Sequence, residues 1–226
     1  MIDINSYLNV GNTRNKMFTQ AVPLFPSALF TYQMTREVNK KELDFILKQE
    51  TDGTKKNLSN RIGLDNNILN AKPLKEIKKQ IEECLLHYVH AFADASSNIE
   101  PVLICSWLNY TKLNQNHHRH GHPNSLISGT LYVNVDENTD SIVFFKNKSV
   151  GHGFDSYSFD KPAMNNMWNA NRFPVKVNNG LIVLFPSYLD HFVPPVQTNH
   201  TRISLAFNAF IKGEVSTQVG MSLSLP

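Results

Sequence analysis

The sequence predicts a mainly β protein with helices packed on its flank. Three observations carry this. The hydrophobic period changes near residue 100, short apolar or alternating runs then follow one another, and clusters of turn residues separate them. Helical periodicity is confined to the stretch before that change. The 226 residues, 41% of them hydrophobic, suffice for one sizeable core. We expect one domain over 1–226, with a polar, asparagine-rich segment at 1–20, supporting helices within 36–95 and a β core over 100–212.

The elements follow in order. Val22, Leu24, Phe25, Leu29, Phe30 and Tyr32 suggest a first strand within 21–35, interrupted by Pro23 and Pro26. Asn39 followed by Glu42 has the spacing of a capping box, and Leu43, Ile46 and Leu47 give the helix after it one apolar face. Residues 51–70, rich in Asn, Gly, Asp and Thr, read as loop. From Pro73 to Ala93, Leu74, Ile77, Ile81, Leu85, Val89 and Phe92 recur at three- and four-residue spacing, which predicts an amphipathic helix with proline in its first turn. His87 and His90 on it read as surface or packing residues. Strand runs follow at Val102–Tyr110, Ile127–Val135, Ile142–Phe145, Val175–Val177, Leu181–Phe185 and Arg202–Ile211. Many short strands with such punctuation suggest a barrel or sandwich. Asn179-Gly180 between two runs predicts a hairpin. Residues 146–173 hold few strand signals and read as a long loop, a candidate lid with Arg172 and Trp168 as candidate contacts; for Trp168 simple packing is the favoured reading.

Bulk properties narrow the class. The formal charge is +3, with no clustered basic stripe and no basic groove with interleaved aromatics, which argues against nucleic acid. The lysines of Lys72–Lys79 alternate with apolar residues and read as the wet side of a helix. Cys84 and Cys105 both lie among apolar residues, which suggests two free thiols in a reducing compartment. No run approaches the roughly 18 apolar residues of a membrane span, and Met1–Asn5 lacks a signal-like start. We therefore expect a cytoplasmic protein with no membrane partner; the sequence also allows a homo-oligomer.

Four of the nine histidines, His117, His118, His120 and His122, fall within six residues. Residues i and i+2 of an extended chain point to one side, so His120 and His122 can address one ion. His191, expected at the end of the strand that begins with the apolar run at 181–185, can supply a third ligand. Imidazole suits Fe, Zn, Cu or Ni, and three ligands on one side leave positions open. His117 and His118 read as neighbours, and His152 and His200 as lone histidines in polar surroundings. Arg202, Ser204, Ala206 and Asn208 share one side of an alternating strand, while Ile203, Leu205 and Phe207 share the other. Arginine offers a planar fork to a carboxylate, with a serine hydroxyl two residues on. The competing reading of Arg202 pairs it with a structural acid.

Taken together these residues resemble the Fe(II)- and 2-oxoglutarate-dependent dioxygenases, most closely a group of oxygenases of bacteria and phages. The resemblance rests on Ser106-Trp107-Leu108-Asn109, His120-Gly121-His122-Pro123, Ser128–Val133, Leu184–His191 and Arg202–Asn208, with Pro23-Leu24-Phe25-Pro26 upstream. It covers most of 21–212. It implies a double-stranded β-helix (jelly-roll, cupin-like) core with helices outside one sheet. It places His120 and His191 at the first and distal metal histidines, and Arg202 and Ser204 at the pair that holds the far carboxylate of 2-oxoglutarate. Asn109 and Tyr132 fall on strands that supply further co-substrate contacts. One departure stands out: His122 occupies the carboxylate position of the His-x-Asp motif, so either three histidines hold the metal or the second ligand comes from elsewhere. A neutral triad would hold Fe(II) less strongly than a carboxylate set and tolerate Zn or Ni more readily. Asp190 would point away from His191 and is no substitute.

The resemblance implies an enzyme using Fe(II), O2 and 2-oxoglutarate to hydroxylate a C–H bond, with succinate and CO2 released. By analogy of fold the substrate is a prolyl or other residue in a peptide or protein, or a small molecule. Two other readings stay open: a cupin-like metal dioxygenase that does not use 2-oxoglutarate, and a non-catalytic β module stabilised by metal.

Overall fold

The computed structural model describes residues 27–93, 98–146, 170–216 and 221–223. The expected strand residues Val22, Leu24 and Phe25, the 1–20 segment, His152, Trp168 and most of the expected lid lie outside these. Along the chain run β1 (Phe30–Gln33), α1 (Lys40–Asp52), β2 (Thr54–Asn57), β3 (Asn60–Gly63), α2 (Lys75–Ala93), β4 (Glu100–Thr111), β5 (His117–His120) and β6 (Ile127–Asn134). Then follow β7 (Ser141–Phe145), β8 (Arg172–Lys176), β9 (Leu181–Pro186), β10 (His191–Val193), β11 (Arg202–Ser216) and β12 (Met221–Leu223).

Two sheets divide the strands. The larger has the order β1-β9-β6-β11-β4-β3-β2, with β12 paired to β11, and the smaller has the order β5-β10-β7-β8. From β4 to β11 the chain crosses between sheets at every connection except β7 to β8. This winding is the double-stranded β-helix, with the helices flanking the larger sheet.

The period-two alternation of the strands sorts their side chains. Leu131, Ile182, Leu184, Ile203, Leu205 and Phe207 turn outward and pack with Ile46, Leu74, Ile77, Ile81, Leu85 and Val89 of the helical layer. Their neighbours Tyr132, Val183 and Phe185 turn inward and pack with Ile142 and Phe144 of the smaller sheet. Burying each such aliphatic or aromatic side chain contributes about 1.5–3 kcal/mol, so the alternation itself fixes which side of each strand faces the cavity. Gly129, on β6, lies where any Cβ would come 2.4 Å from the Phe207 ring and 2.6 Å from Leu184, so only glycine lets these strands and rings close up.

The helices form as their caps and periods predict. The Asn39 side chain accepts from the Glu42 N–H (3.0 Å), and Glu42 accepts in return from the Asn39 N–H (2.9 Å). Arg36 also donates to buried Glu42 (2.8 Å). A short 3-10 turn, Lys72–Leu74, holds Pro73 and leads into α2. The apolar stripes are narrower than expected, because Leu47 and Phe92 remain about two-fifths exposed at 42% and 41%. Cys84 and Cys105 are free, on α2 and β4.

Four expectations need correction. The loop expected over 51–70 contains the β2–β3 hairpin and a 3-10 turn at Ile68–Asn70. Its two-residue turn is Leu58-Ser59, with Leu58 at φ 40°, and so carries no Asn-Gly signature. Conversely, Asn179-Gly180 does not make a hairpin: β8 and β9 belong to different sheets, and the turn carries the chain across. Gly180 has φ 80°, and its N–H donates to the Tyr132 carbonyl (2.8 Å). The first strand is only Phe30–Gln33 among the described residues. His191 does not end the apolar strand; β9 stops at Pro186, and His191 opens β10 in the other sheet.

Candidate metal centre

The smaller sheet brings the histidines together by backbone pairing. β5 and β10 are antiparallel, with His120 opposite His191 and His117 opposite Val193. Three steps on β5 thus match two on β10. This bulge re-aims one residue, so that His117 and His120 both line the cavity despite their odd spacing. His122 lies beyond the strand, fixed by its N–H to the Ser187 carbonyl (2.9 Å). Ligand-capable atoms of His120, His122 and His191 lie within 4.8 Å of one another.

Two of these rings have their tautomers set by the backbone. His120 Nδ1 donates to the His118 carbonyl (2.8 Å) and His191 Nδ1 to the Leu189 carbonyl (3.1 Å). Each Nε2 therefore keeps its lone pair, the arrangement that metal-ligating histidines use. Burial, together with neighbouring imidazoles, pushes His191 down to about 3 and His122 to about 4; burial also lowers His120. All three are therefore neutral at ordinary pH, the form that can ligate a metal ion. The donor set fits a borderline metal ion such as Fe(II), Zn or Ni. Trp107, whose ring centre is 5.8 Å from that of His122, walls the site on the opposite sheet. Asp190 is engaged by Arg119 (2.9 Å) and takes no part.

The larger sheet supplies the rest of a cavity of about 480 Å³, counting space continuous with solvent. Its inner rows follow from strand register: Arg202 opposite Thr111, then Ser204 opposite Asn109 and Tyr132, then Ala206 opposite Trp107 and Thr130. All of these line the cavity. Asn109 Oδ1 and the Tyr132 hydroxyl are buried there without partners, as is Asn60 Nδ2. Buried orphan groups around one cavity are what a polar ligand would satisfy. Burial pushes the Tyr132 hydroxyl far above its ordinary value, so it stays protonated.

The expected residues His120, His122, His191, Arg202, Ser204, Asn109 and Tyr132 are thus gathered around one space. Arg202 is also paired with an acid, as its competing reading foresaw: Nη1 donates to Asp140 (2.9 Å) and Nη2 to the Pro194 carbonyl (3.0 Å). Arg172 lies exposed on β8, outside the cavity lining. His87 bonds Tyr32 on the outer layer. The reading by sequence missed Asp140, Asn60 and the inward turn of His117. Asn60 sits in the hairpin taken for loop, where the sequence carries no apolar alternation to mark a strand. Asn57 Nδ2 donates both to Asn60 Oδ1 and to His117 Nε2 (3.0 Å each), tying that hairpin to β5.

The inner side of this jelly-roll thus carries clustered imidazoles, an arginine and a serine around one cavity. The profile of the family described as "Putative 2OG-Fe(II) oxygenase" matches residues 105–208, the span from β4 to β11. In that span, 104 of the 226 residues, the chain is similar to the 2-oxoglutarate–Fe(II) oxygenases. Similar solved structures include a prolyl-4-hydroxylase of Pseudomonas putida, at 11% identity and TM-score 0.54, covering 81% of this chain and 93% of that one. HygX from Streptomyces hygroscopicus, solved with nickel, 2-oxoglutarate and hygromycin B, has 12% identity and TM-score 0.54 over 81% of this chain and 83% of its own. The α-ketoglutarate-dependent epimerase SnoN of nogalamycin biosynthesis has 10% identity and TM-score 0.56 over 83% and 81%. At such identities the likeness is one of fold. No curated protein sequence matches the chain significantly. No helix of the described residues is long and apolar enough to cross a membrane.

Proposed function

We propose that this chain is an Fe(II)- and 2-oxoglutarate-dependent oxygenase of the hydroxylase type, acting on a residue in a peptide or protein or on a small molecule. The observation that carries the proposal is one cavity holding three mutually close imidazoles on one sheet and Arg202 with Ser204 on the other. His120, His122 and His191 are the metal ligands. Arg202 and Ser204 bind the far carboxylate of the co-substrate, and Asn109 and Tyr132 supply further polar contacts. Bound Fe(II) with a 2-oxo acid supplies oxidative C–H chemistry; the protein supplies orientation and the exclusion of water. The His118 and Leu189 carbonyls hold two rings in the ligating tautomer, and the walls formed by Trp107, Ile142 and Val193 keep the site dry on one side.

Anaerobic titration tests this. Fe(II)-loaded protein should develop a visible charge-transfer band on addition of 2-oxoglutarate, and Arg202→Ala should demand far more co-substrate for the same band. Folded, metal-loaded protein that shows no band would overturn the proposal. One observation favours a second reading, a metal dioxygenase independent of 2-oxoglutarate: the Arg202 guanidinium already has a buried counter-ion in Asp140. In that case Arg202→Ala leaves turnover intact and no succinate forms.

A further inference from the structure

The Arg202–Asp140 pair admits another account. Asp140 is 2% exposed, just before β7, and both of its oxygens are engaged by the protein. Oδ1 accepts from Arg202 Nη1 (2.9 Å). Oδ2 accepts from the Asp136 N–H (3.0 Å) and meets His200 Nε2 (2.9 Å). His200 Nδ1 is in turn 2.8 Å from Thr198 Oγ1, which donates to Asp136 Oδ2 (3.0 Å). The carboxylate is therefore held from behind and is not among the cavity-lining residues.

Arg202 has five N–H donors in a rigid fork. Asp140 and the Pro194 carbonyl occupy one each, on different nitrogens, which fixes the plane of the guanidinium. Three N–H groups remain, on a side chain that lines the cavity beside Ser204, Asn109 and Tyr132. Two anchored donors and several free ones describe an arginine preset for a ligand rather than one consumed by a structural ion pair. Asp140 also supplies the counter-charge for the buried Arg202.

We propose that Asp140, braced by His200, is a positioning residue that aims Arg202 at the distal carboxylate of a dicarboxylic 2-oxo acid. This rests on the 2-oxoglutarate reading above. It makes the selectivity for a dicarboxylate depend on residues that touch neither the metal nor the ligand.

The test is isothermal titration of Ni(II)-loaded protein with 2-oxoglutarate and with 2-oxobutyrate, which lacks the distal carboxylate. Four proteins are compared: the natural chain, Asp140→Asn, His200→Ala and Arg202→Ala. Asparagine has one acceptor oxygen where the site uses two, so its amide must face a donor with a donor. Asp140→Asn should weaken 2-oxoglutarate binding about tenfold, or about 1.4 kcal/mol, and leave 2-oxobutyrate unchanged. His200→Ala should show the same selective loss at about threefold. The inference is overturned if these variants bind 2-oxoglutarate like the natural protein, or lose both ligands equally, as a merely structural role would produce. Should Asp140→Asn not melt cooperatively, His200→Ala decides alone. If Arg202→Ala itself binds 2-oxoglutarate normally, the parent reading fails, and this one with it.

Discussion

Replacing His122 by alanine probes the least conventional part of the site. In the natural protein three imidazoles converge within 4.8 Å, and burial, which lowers all three, keeps them neutral at neutral pH. A metal that binds only the folded state, at a hundredfold excess over its Kd, adds about 2.7 kcal/mol to stability. For a chain of this size that raises the melting temperature by about 5–11 °C. Removing one ligand of three should weaken binding by at least about a hundredfold, since even outer partners of ligands are worth about 10–100-fold. At the same metal concentration the stabilisation then falls to about 0.4 kcal/mol, a shift of about 1 °C. His122→Asp puts a carboxylate in the same place and should recover at least half of the shift with Fe(II) or Mn(II), which favour oxygen ligands more than Zn or Ni do. The assay is differential scanning fluorimetry under anaerobic conditions, with metal-free protein as the reference. A full shift in His122→Ala would mean that His122 is not a ligand, and the three-histidine centre would be refuted.

Three further outcomes follow from the packing and electrostatics. Gly129→Ala forces a methyl group against Phe207 and Leu184, and should cost about 1–3 kcal/mol by overpacking, seen as a lower chemical-denaturation midpoint. Asn39→Ala removes the α1 cap and one arm of its capping box, and should cost about 1 kcal/mol in the same assay. In metal-free protein, His117 and His191 sit at about 3 and His122 at about 4, against about 6.5 in the unfolded chain. The unfolded state therefore binds more protons as pH falls below about 6.5, and stability should decline from there toward pH 4 while staying flat above it. Melting temperatures of metal-free protein from pH 8 to 4 would check the sign; a rise on acidification would contradict it.

The legible parts of this chain were those governed by local chemistry. The capping box at Asn39 and Glu42, the stripe from Leu74 to Val89 and the alternation of β11 each follow from side chains a few residues apart. Where the local signal was absent or misleading, the reading failed. Leu58-Ser59 turns the β2–β3 hairpin without a glycine or asparagine, and Asn179-Gly180 carries the favoured hairpin pair yet serves a change of sheet. Neither outcome is decided by the turn residues; each depends on which sheet offers the next strand a partner.

Periodicity and residue chemistry are properties of the chain, and they suffice for a mainly β core with two helices, the inward side of β11 and a set of residues suited to a metal and a carboxylate. How those residues meet was settled by the fold. A bulge between β5 and β10 turned His117 inward beside His120, register set Arg202 and Ser204 in rows with Thr111, Asn109 and Tyr132, and a turn some sixty residues before Arg202 delivered Asp140 behind its guanidinium. Such contacts arise from long-range strand pairing and burial, whose energies depend on neighbours distant in sequence.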